Sequence, residues 1–493
     1  MNPRAFAVCL LLPMSVCVSQ SKHVLTLHES IQLALRQGYA VQNATSQYLS
    51  SKKSYESALR RLRTSVNLSV QAPSFSESLS NQFNPSTQLY EFYQLKTTRV
   101  EGGLTIVQPL VLTGGTLTLS ESIFGRDQVS GLTGFSQSGR DYFNNFLVQF
   151  SQPLLTPNIY RINADRASIG VEQARSDYIK NQLDVVYSVT QSFYMLYQLT
   201  QRLDIAQEQV KQNEGSYQTA KNKFSAGLIP EVEVLQSEVD LVTSQNDLLN
   251  AEQALAATKN TFRLLLGLPL DDEVELVASL AYKAVPIDTE TAVQAALKNR
   301  SEVANADLNR ELRRMEIGLA ESRNDFRVDL TASYGFNRDD TQLSRVFRDV
   351  GRTRSAALTF SVPIFDWGSN RLEIESAEVQ HRNAVATADY VRQQIRQEIL
   401  DLISRIRLAE SRIKVLEKVV AVAQKSYDIS LGRFQAGTIN RNELALTQQR
   451  LTTAKINNLS ALIDYQIGLA DLKRKTLYDF EKNEPIQTTV TME

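Results

Sequence analysis

Cysteine is almost missing from this chain: among 493 residues only Cys9 and Cys17 carry thiols, and both fall within the first 20. Past that segment no disulfide, thiolate metal site or cysteine nucleophile can form. Histidine is scarce too, and the three present, His23, His28 and His381, assemble into no ligand motif. No phosphate-binding loop, nucleophile elbow or zinc signature occurs. The sequence therefore reads as a non-enzyme with no catalytic residues, no cofactor and no metal site.

Proline occurs only 12 times and no Pro/Gly/Ser-rich linker divides the chain, which argues against a string of independent domains. The formal net charge is −1 with Lys and Arg spread along the length, so nothing points to nucleic acid. Beyond residue 18 no run of about 18 apolar residues exists, which excludes a membrane-spanning helix. If the chain crosses a bilayer, strands must do it.

What is present begins with an export signal over 1–20: Arg4 supplies the positive start, Ala5 to Val18 the apolar run, and small residues near Ser19 and Ser21 a cleavage region. The mature chain would leave the cytoplasm and take both cysteines' segment off with it.

The rest is duplicated. Lys223-Phe224-Ser225-Ala226-Gly227-Leu228 returns as Arg433-Phe434-Gln435-Ala436-Gly437-Thr438. Each copy has a tyrosine ten residues before the glycine (Tyr217, Tyr427) and an acid six after it (Glu233, Glu443). Glycine tolerates the positive φ that a tight helix-to-helix turn demands, so each copy marks a helical hairpin. The helix opening at Ser30 is echoed at Thr291, and Val66-Asn67-Leu68 by Val328-Asp329-Leu330. These offsets give a first repeat over 21–266, an inter-repeat segment over 267–288, a second repeat over 289–478 and a tail over 479–493.

Within each repeat the period changes. Thr26-Leu27-His28-Glu29 is a capping box that opens a helix expected to run unbroken to Thr64. Val328, Leu330, Ala332, Tyr334 and Phe336 then alternate with polar residues, the pattern of a strand with one apolar face. Its return partner is Leu358 to Val362. In the first repeat the matching strands near Val66 and Phe146 are separated by an insertion over 73–145, which contains a further hairpin candidate around Leu112-Thr113-Gly114-Gly115. The sequence leaves open whether that hairpin joins the sheet.

Pro153 and Pro363 mark the strand-to-helix switches, since proline fits a strand end or a first helical turn but not a helix interior. From each, a helix of about 70 residues, roughly 105 Å at 1.5 Å per residue, leads to the turn glycine. Ile395, Ile399, Leu402, Ile406, Ala409, Ile413, Leu416, Val420, Ala423 and Tyr427 keep an unbroken four-three spacing, a coiled-coil seam. Leu196, Leu199, Leu203, Ala206 and Val210 do the same in the first repeat. Val415, Val419 and Val422 lie off the seam, so that helix needs neighbours on more than one side. The helices after each turn are half as long, and two half-length helices must stack to flank one long helix. Tyr90, Phe92, Tyr93, Tyr142 and Phe143 are candidates for an aromatic girdle at a membrane boundary.

On these motifs together the chain resembles the outer-membrane efflux protein family, the TolC-like channels. The resemblance implies a mainly α fold with transmembrane β structure: an internally duplicated, long-helix α-barrel tunnel in the periplasm and a β-barrel in the outer membrane shared by a homotrimer, four strands from each chain. It implies a passive exit duct of a tripartite efflux or type I secretion system, with outer-membrane lipid, a periplasmic adaptor (membrane fusion protein) and an inner-membrane pump as partners. Phe224, Ala226, Gly227, Leu228, Phe434, Ala436, Gly437 and Thr438 would then form the periplasmic tips that meet the adaptor. Glu233 and Glu443 would carry charge at the tunnel mouth; the family's second acidic position is Gln236 in one copy and Leu446 in the other. The competing reading is an exported coiled-coil scaffold without transport. A periplasmic adaptor fits less well, because it needs one helical hairpin rather than two matched halves.

Overall fold

A computed structural model of the chain describes residues 22–84, 88–132, 135–277, 282–324 and 326–486. The export signal read over 1–20 lies outside them, as do residues 487–493 of the tail. The described elements in order are β1 (Lys22–Leu25), α1 (Leu27–Gln37), α2 (Tyr39–Arg60), β2 (Ser65–Asn84), β3 (Leu89–Leu110), β4 (Gly115–Leu132), β5 (Phe135–Pro153), α3 (Ile159–Ser225), α4 (Glu231–Leu266), β6 (Glu273–Leu276), α5 (Thr289–Asn299), α6 (Ser301–Asn324), β7 (Arg327–Asp340), β8 (Gly351–Ser361), α7 (Ser369–Gln435), α8 (Arg441–Thr476), β9 (Tyr478–Asp479) and β10 (Glu484–Pro485). The duplication holds to the residue in the long helices and those after each turn: α3 and α7 have 67 residues each, and α4 and α8 have 36 each. Each long helix starts six residues after its marker proline, at 159 after Pro153 and at 369 after Pro363.

The chain divides into two compact units, one made of Met1–Ser46, Asp177–Ser301 and Arg392–Glu493, the other of Gln47–Ser176 and Glu302–Val391. The first is helical. Its capping box forms as expected, with the Thr26 N–H donating to Glu29 Oε2 at 2.8 Å and the Glu29 N–H to Thr26 Oγ1 at 3.3 Å. The helix it opens is not continuous to Thr64: it breaks at Gly38, whose backbone is extended, and resumes as α2. A Cβ at Gly38 would stand 2.4 Å from the Ala34 carbonyl oxygen and 3.3 Å from that of Leu265, so the helix breaks where the end of α4 lies against it. The second repeat breaks at the corresponding place, between α5 and α6.

The core of this unit joins Phe193, Leu196 and Val189 of α3 to Phe262 and Leu266 of α4, with Ala34 and Val274. Full burial of each large side chain is worth about 1.5–3 kcal/mol. The α7 seam is buried as its spacing foretold, with Ile399 and Ile413 fully covered and Ile395, Leu402 and Ile406 nearly so. The inter-repeat segment is used twice: β6 pairs in parallel with β1, and the buried Tyr465 hydroxyl of α8 donates to the Lys283 carbonyl and accepts from the Val285 N–H.

The second unit is built on one six-stranded antiparallel sheet in the order β2-β3-β4-β5-β7-β8. The hairpin in the insertion therefore joins the sheet, and the four strands per chain implied by the family resemblance become six. The β3–β4 turn is held in place by the start of α3: Asn158 accepts from the Arg161 N–H and donates to the Val111 carbonyl at 2.5 Å, while Gln152 donates to the Thr113 carbonyl at 2.7 Å. Among the described residues no helix is long and apolar enough to cross a membrane.

Candidate functional site

Two features of the chain are not explained by its own packing. One is the sheet. Pairing carries Val66 across to Ile106, Leu119, Val148 and Tyr334, a row of apolar residues on one face that ends in Arg354 of β8, set against the Tyr334 ring. The adjacent row, Ser65, Val107, Thr118, Gln149, Ser333 and Ser355, lies on the opposite face and is mostly polar. The apolar face is left uncovered, with Val66, Leu68, Val70, Phe75, Leu358 and Phe360 exposed. β2 keeps to this plan by an irregularity. Its register shifts between Gln71 and Ser74, around Pro73, so the even-numbered apolar positions before the shift are continued by Phe75, Leu79 and Phe83 after it, on the same face. A bulge is where a strand tolerates both proline and a change of parity.

Charge pairs occur on both faces: Arg99 with Glu101 at 3.0 Å and Arg126 with Asp141 at 3.3 Å on the opposite face, and Lys96 with Glu77 at 3.3 Å and Arg140 with Asp127 on the apolar one, in the half of the sheet away from the helix-side strand ends. Arg99 lies 3.7 Å from the ring centre of Phe124, which stacks on Phe143. Phe143 therefore belongs to the polar face and not to a lipid-facing girdle. Tyr90, Phe92 and Tyr142 do share the apolar face by register, Tyr90 meeting Phe83 edge-on at 5.5 Å. The side chain of Tyr93 lies outside the described residues.

The second feature is the pair of turns in the helical unit. Gly227 and Gly437 have φ of 72° and 73°, and nothing lies within 4 Å of a Cβ built on either. In both, the N–H three residues past the helix end donates back five residues, Leu228 to Lys223 and Thr438 to Arg433, each at 2.9 Å. This satisfies carbonyls that a helix end leaves free.

The twin motifs are not equivalent. Phe224 is 43% exposed and Phe434 only 7%: Phe434 packs with Tyr427, Leu444 and Leu451 of its own hairpin, and Lys223 reaches to it from the first turn. Its ammonium donates to the Phe434 carbonyl at 2.9 Å and lies 4.5 Å from that ring's centre. Beneath it a cavity of about 580 Å³ separates Leu228 and Ile229 from Ala436 and Gly437. Glu443 is exposed beside Arg433 at 3.7 Å, and its N–H is capped by Asn440. The first turn has Pro230 at the matching cap, which offers no side-chain acceptor.

Sequence reasoning missed the ties that join the hairpins. Arg441 is 8% exposed and ion-pairs with Asp240 of α4, and burial lowers its pKa against the attraction of Glu233. Further along, Gln448 donates to Asn213, which donates to the Asp240 carbonyl, and Lys455 pairs with Glu208. A sequence signal existed: a cation in the first turn of a helix opposes the helix dipole, so Arg441 needed a compensating acid from elsewhere.

The sequence pattern of the outer membrane efflux protein family matches residues 116–268 and 292–476. Among individual proteins, the chain is 21% identical to nodulation protein T of Rhizobium leguminosarum bv. trifolii over 63% of its own length and 67% of that protein's. It is 25% identical to outer membrane protein OprJ of Pseudomonas aeruginosa over 36% and 37%, and 21% identical to cation efflux system protein CusC of Escherichia coli K12 over 54% and 58%. The matches thus span between about a third and two thirds of these relatives. In fold it resembles a membrane protein of Pseudomonas aeruginosa, with a TM-score of 0.70 at 16% identity over 91% of this chain and 90% of that one. The CmeC outer membrane channel of Campylobacter jejuni gives 0.68 at 15% identity, over 94% and 87%.

Proposed function

This chain belongs to the outer membrane efflux protein family, and from that premise we propose that it is the outer-membrane exit duct of a tripartite efflux or secretion system, working as a homotrimer. The observation that carries the reading is the two-faced sheet with two unpaired edges. An apolar face left open to solvent by the single chain suits hydrocarbon, and the polar face suits a water-filled lumen. Yet β2 and β8 each leave a row of backbone N–H and C=O groups without partners, and in lipid each such group costs several kcal/mol. Closure with further copies removes the edges.

Exposed apolar stripes of the helical unit, distinct from the buried seam of α7, support the same assembly. Val415, Val419 and Val422 of α7 and Val232, Leu235, Val239 and Val242 of α4 are all more than 40% exposed in one chain. They recur at coiled-coil spacing, and each stripe suits a helix of a neighbouring copy. The turns at Phe224, Ala226, Gly227, Leu228 and at Phe434, Ala436, Gly437, Thr438 are the adaptor-docking tips in this reading. Glu233 and Glu443 set the charge at the mouth. Energy for transport comes from the inner-membrane pump, and the duct conducts passively.

The test is fractionation. The protein should be recovered in outer-membrane fractions as a trimer that resists SDS and dissociates on heating. Recovery as a monomer, or in the soluble fraction, would favour the coiled-coil scaffold instead.

A further inference from the structure

The number of strands and their register fix more than the fact of closure. Six strands of alternating direction leave β2 and β8 antiparallel to each other, so copies can join edge to edge with every pairing antiparallel. The stagger within one copy is also readable. Starting from Ser65, at the helix-side end of β2, successive pairings lead to Val107, Thr118, Gln149, Ser333 and Ser355. Ser355 lies six residues short of Ser361, the helix-side end of β8. The helix-side ends therefore drift by six residues across six strands, one per strand.

A barrel whose total stagger equals its strand number has strands tilted by about 36°, inside the 35–45° range of outer-membrane barrels. Tilt, stagger and strand number cannot be chosen separately. Resting on the trimer proposed above, we infer that three copies close one barrel of 18 strands, six from each, with β8 of one copy paired to β2 of the next so that Ser361 meets Ser65. In that register Phe360 faces Val66, Leu358 faces Leu68 and Ala356 faces Val70, all on the apolar face. Thr359 meets Asn67 and Ser355 meets Gln71 on the polar one. A slip of one residue would set apolar side chains against polar ones along the whole seam. Closure in register also gives Leu358 and Phe360, which are 49% and 60% exposed in the single chain, apolar neighbours on the lipid-facing side.

The insertion thereby acquires a purpose. Strands about 4.8 Å apart at this tilt give a barrel about 34 Å across for 18 strands and about 23 Å for twelve. The extra hairpin preserves the alternation of direction while roughly doubling the cross-section.

The test uses the full-length protein in outer membranes. Thr359→Cys combined with Asn67→Cys, and separately Leu358→Cys with Leu68→Cys, covers a hydrogen-bonded and a non-hydrogen-bonded position of the ladder. On oxidation at least one pair should give SDS-stable covalent trimers that reductant dissolves. Thr359→Cys with Gln71→Cys, four residues out of register, and the single variants should not. Electron cryomicroscopy of the unmodified trimer should count 18 strands. A trimer that crosslinks only out of register, or in neither matched pair, or that shows twelve strands, overturns this inference and leaves the duct reading standing. Absence of a trimer from the outer membrane defeats both.

Discussion

The two repeats agree in their helices and disagree in their strands. Both contribute a 67-residue and a 36-residue helix, but the first gives β2 to β5 to the sheet and the second only β7 and β8. The contrast is physical. A long helix in a coiled-coil wall is held by a seam along its whole length, so a change in length would leave a neighbour's apolar stripe unpaired. A hairpin added to an antiparallel sheet leaves the direction of every other strand unchanged. The second disagreement lies at the turns, where identical backbone geometry presents an exposed Phe224 in one repeat and a buried Phe434 in the other.

Three sets of substitutions sharpen that contrast. The largest effect is expected from Gly227→Asp with Gly437→Asp. Both turns have room for a side chain, so the cost of the left-handed backbone is about 1–2 kcal/mol at each, too little to unfold the protein. Added charge at the tips should nevertheless abolish efflux of a pump substrate and co-purification of the adaptor with intact trimers. Unchanged efflux would refute tip docking.

Next comes the pair Phe434→Ala and Phe224→Ala. Removing the buried ring from under Lys223 should cost about 3–5 kcal/mol and visibly lower the temperature at which helical structure is lost. Removing the half-exposed ring should cost less than about 1 kcal/mol. Equal losses would mean that the two turns are structurally equivalent after all. The smallest effect belongs to Glu443→Gln. Its carboxylate already faces Arg433, and the second acidic position is Leu446, so cation preference in planar bilayers should fall by less than about twofold, on the scale of exposed ion pairs. A complete loss of preference would establish Glu443 as the dominant charge of the mouth.

Much of this was legible in the sequence for identifiable reasons. The turn glycines, the marker prolines and the heptad spacing are local signals, and each fell where the spacing put it. The break at Gly38 was not read, because a lone glycine in a helical pattern is tolerated unless another backbone approaches it, and the Leu265 carbonyl is 227 residues away. The assignment of Phe143 to the girdle failed because neighbours in a strand point to opposite faces, so Tyr142 and Phe143 cannot share one. The ties through Lys223, Arg441 and Asp240 depend on tertiary placement, which the helix-dipole conflict at Arg441 hints at and does not specify. Whether the insertion joined the sheet was decided by pairing between strands, for which the sequence offered only the alternation itself.

The central claim is that the trimer encloses a water-filled path from the helical tunnel through the outer membrane. Single-channel recording of the purified trimer in planar bilayers addresses it directly. Insertion should give discrete, uniform conductance steps that persist without any energy source; purified trimers that insert into the bilayer yet pass no current, with the adaptor present or absent, would contradict it.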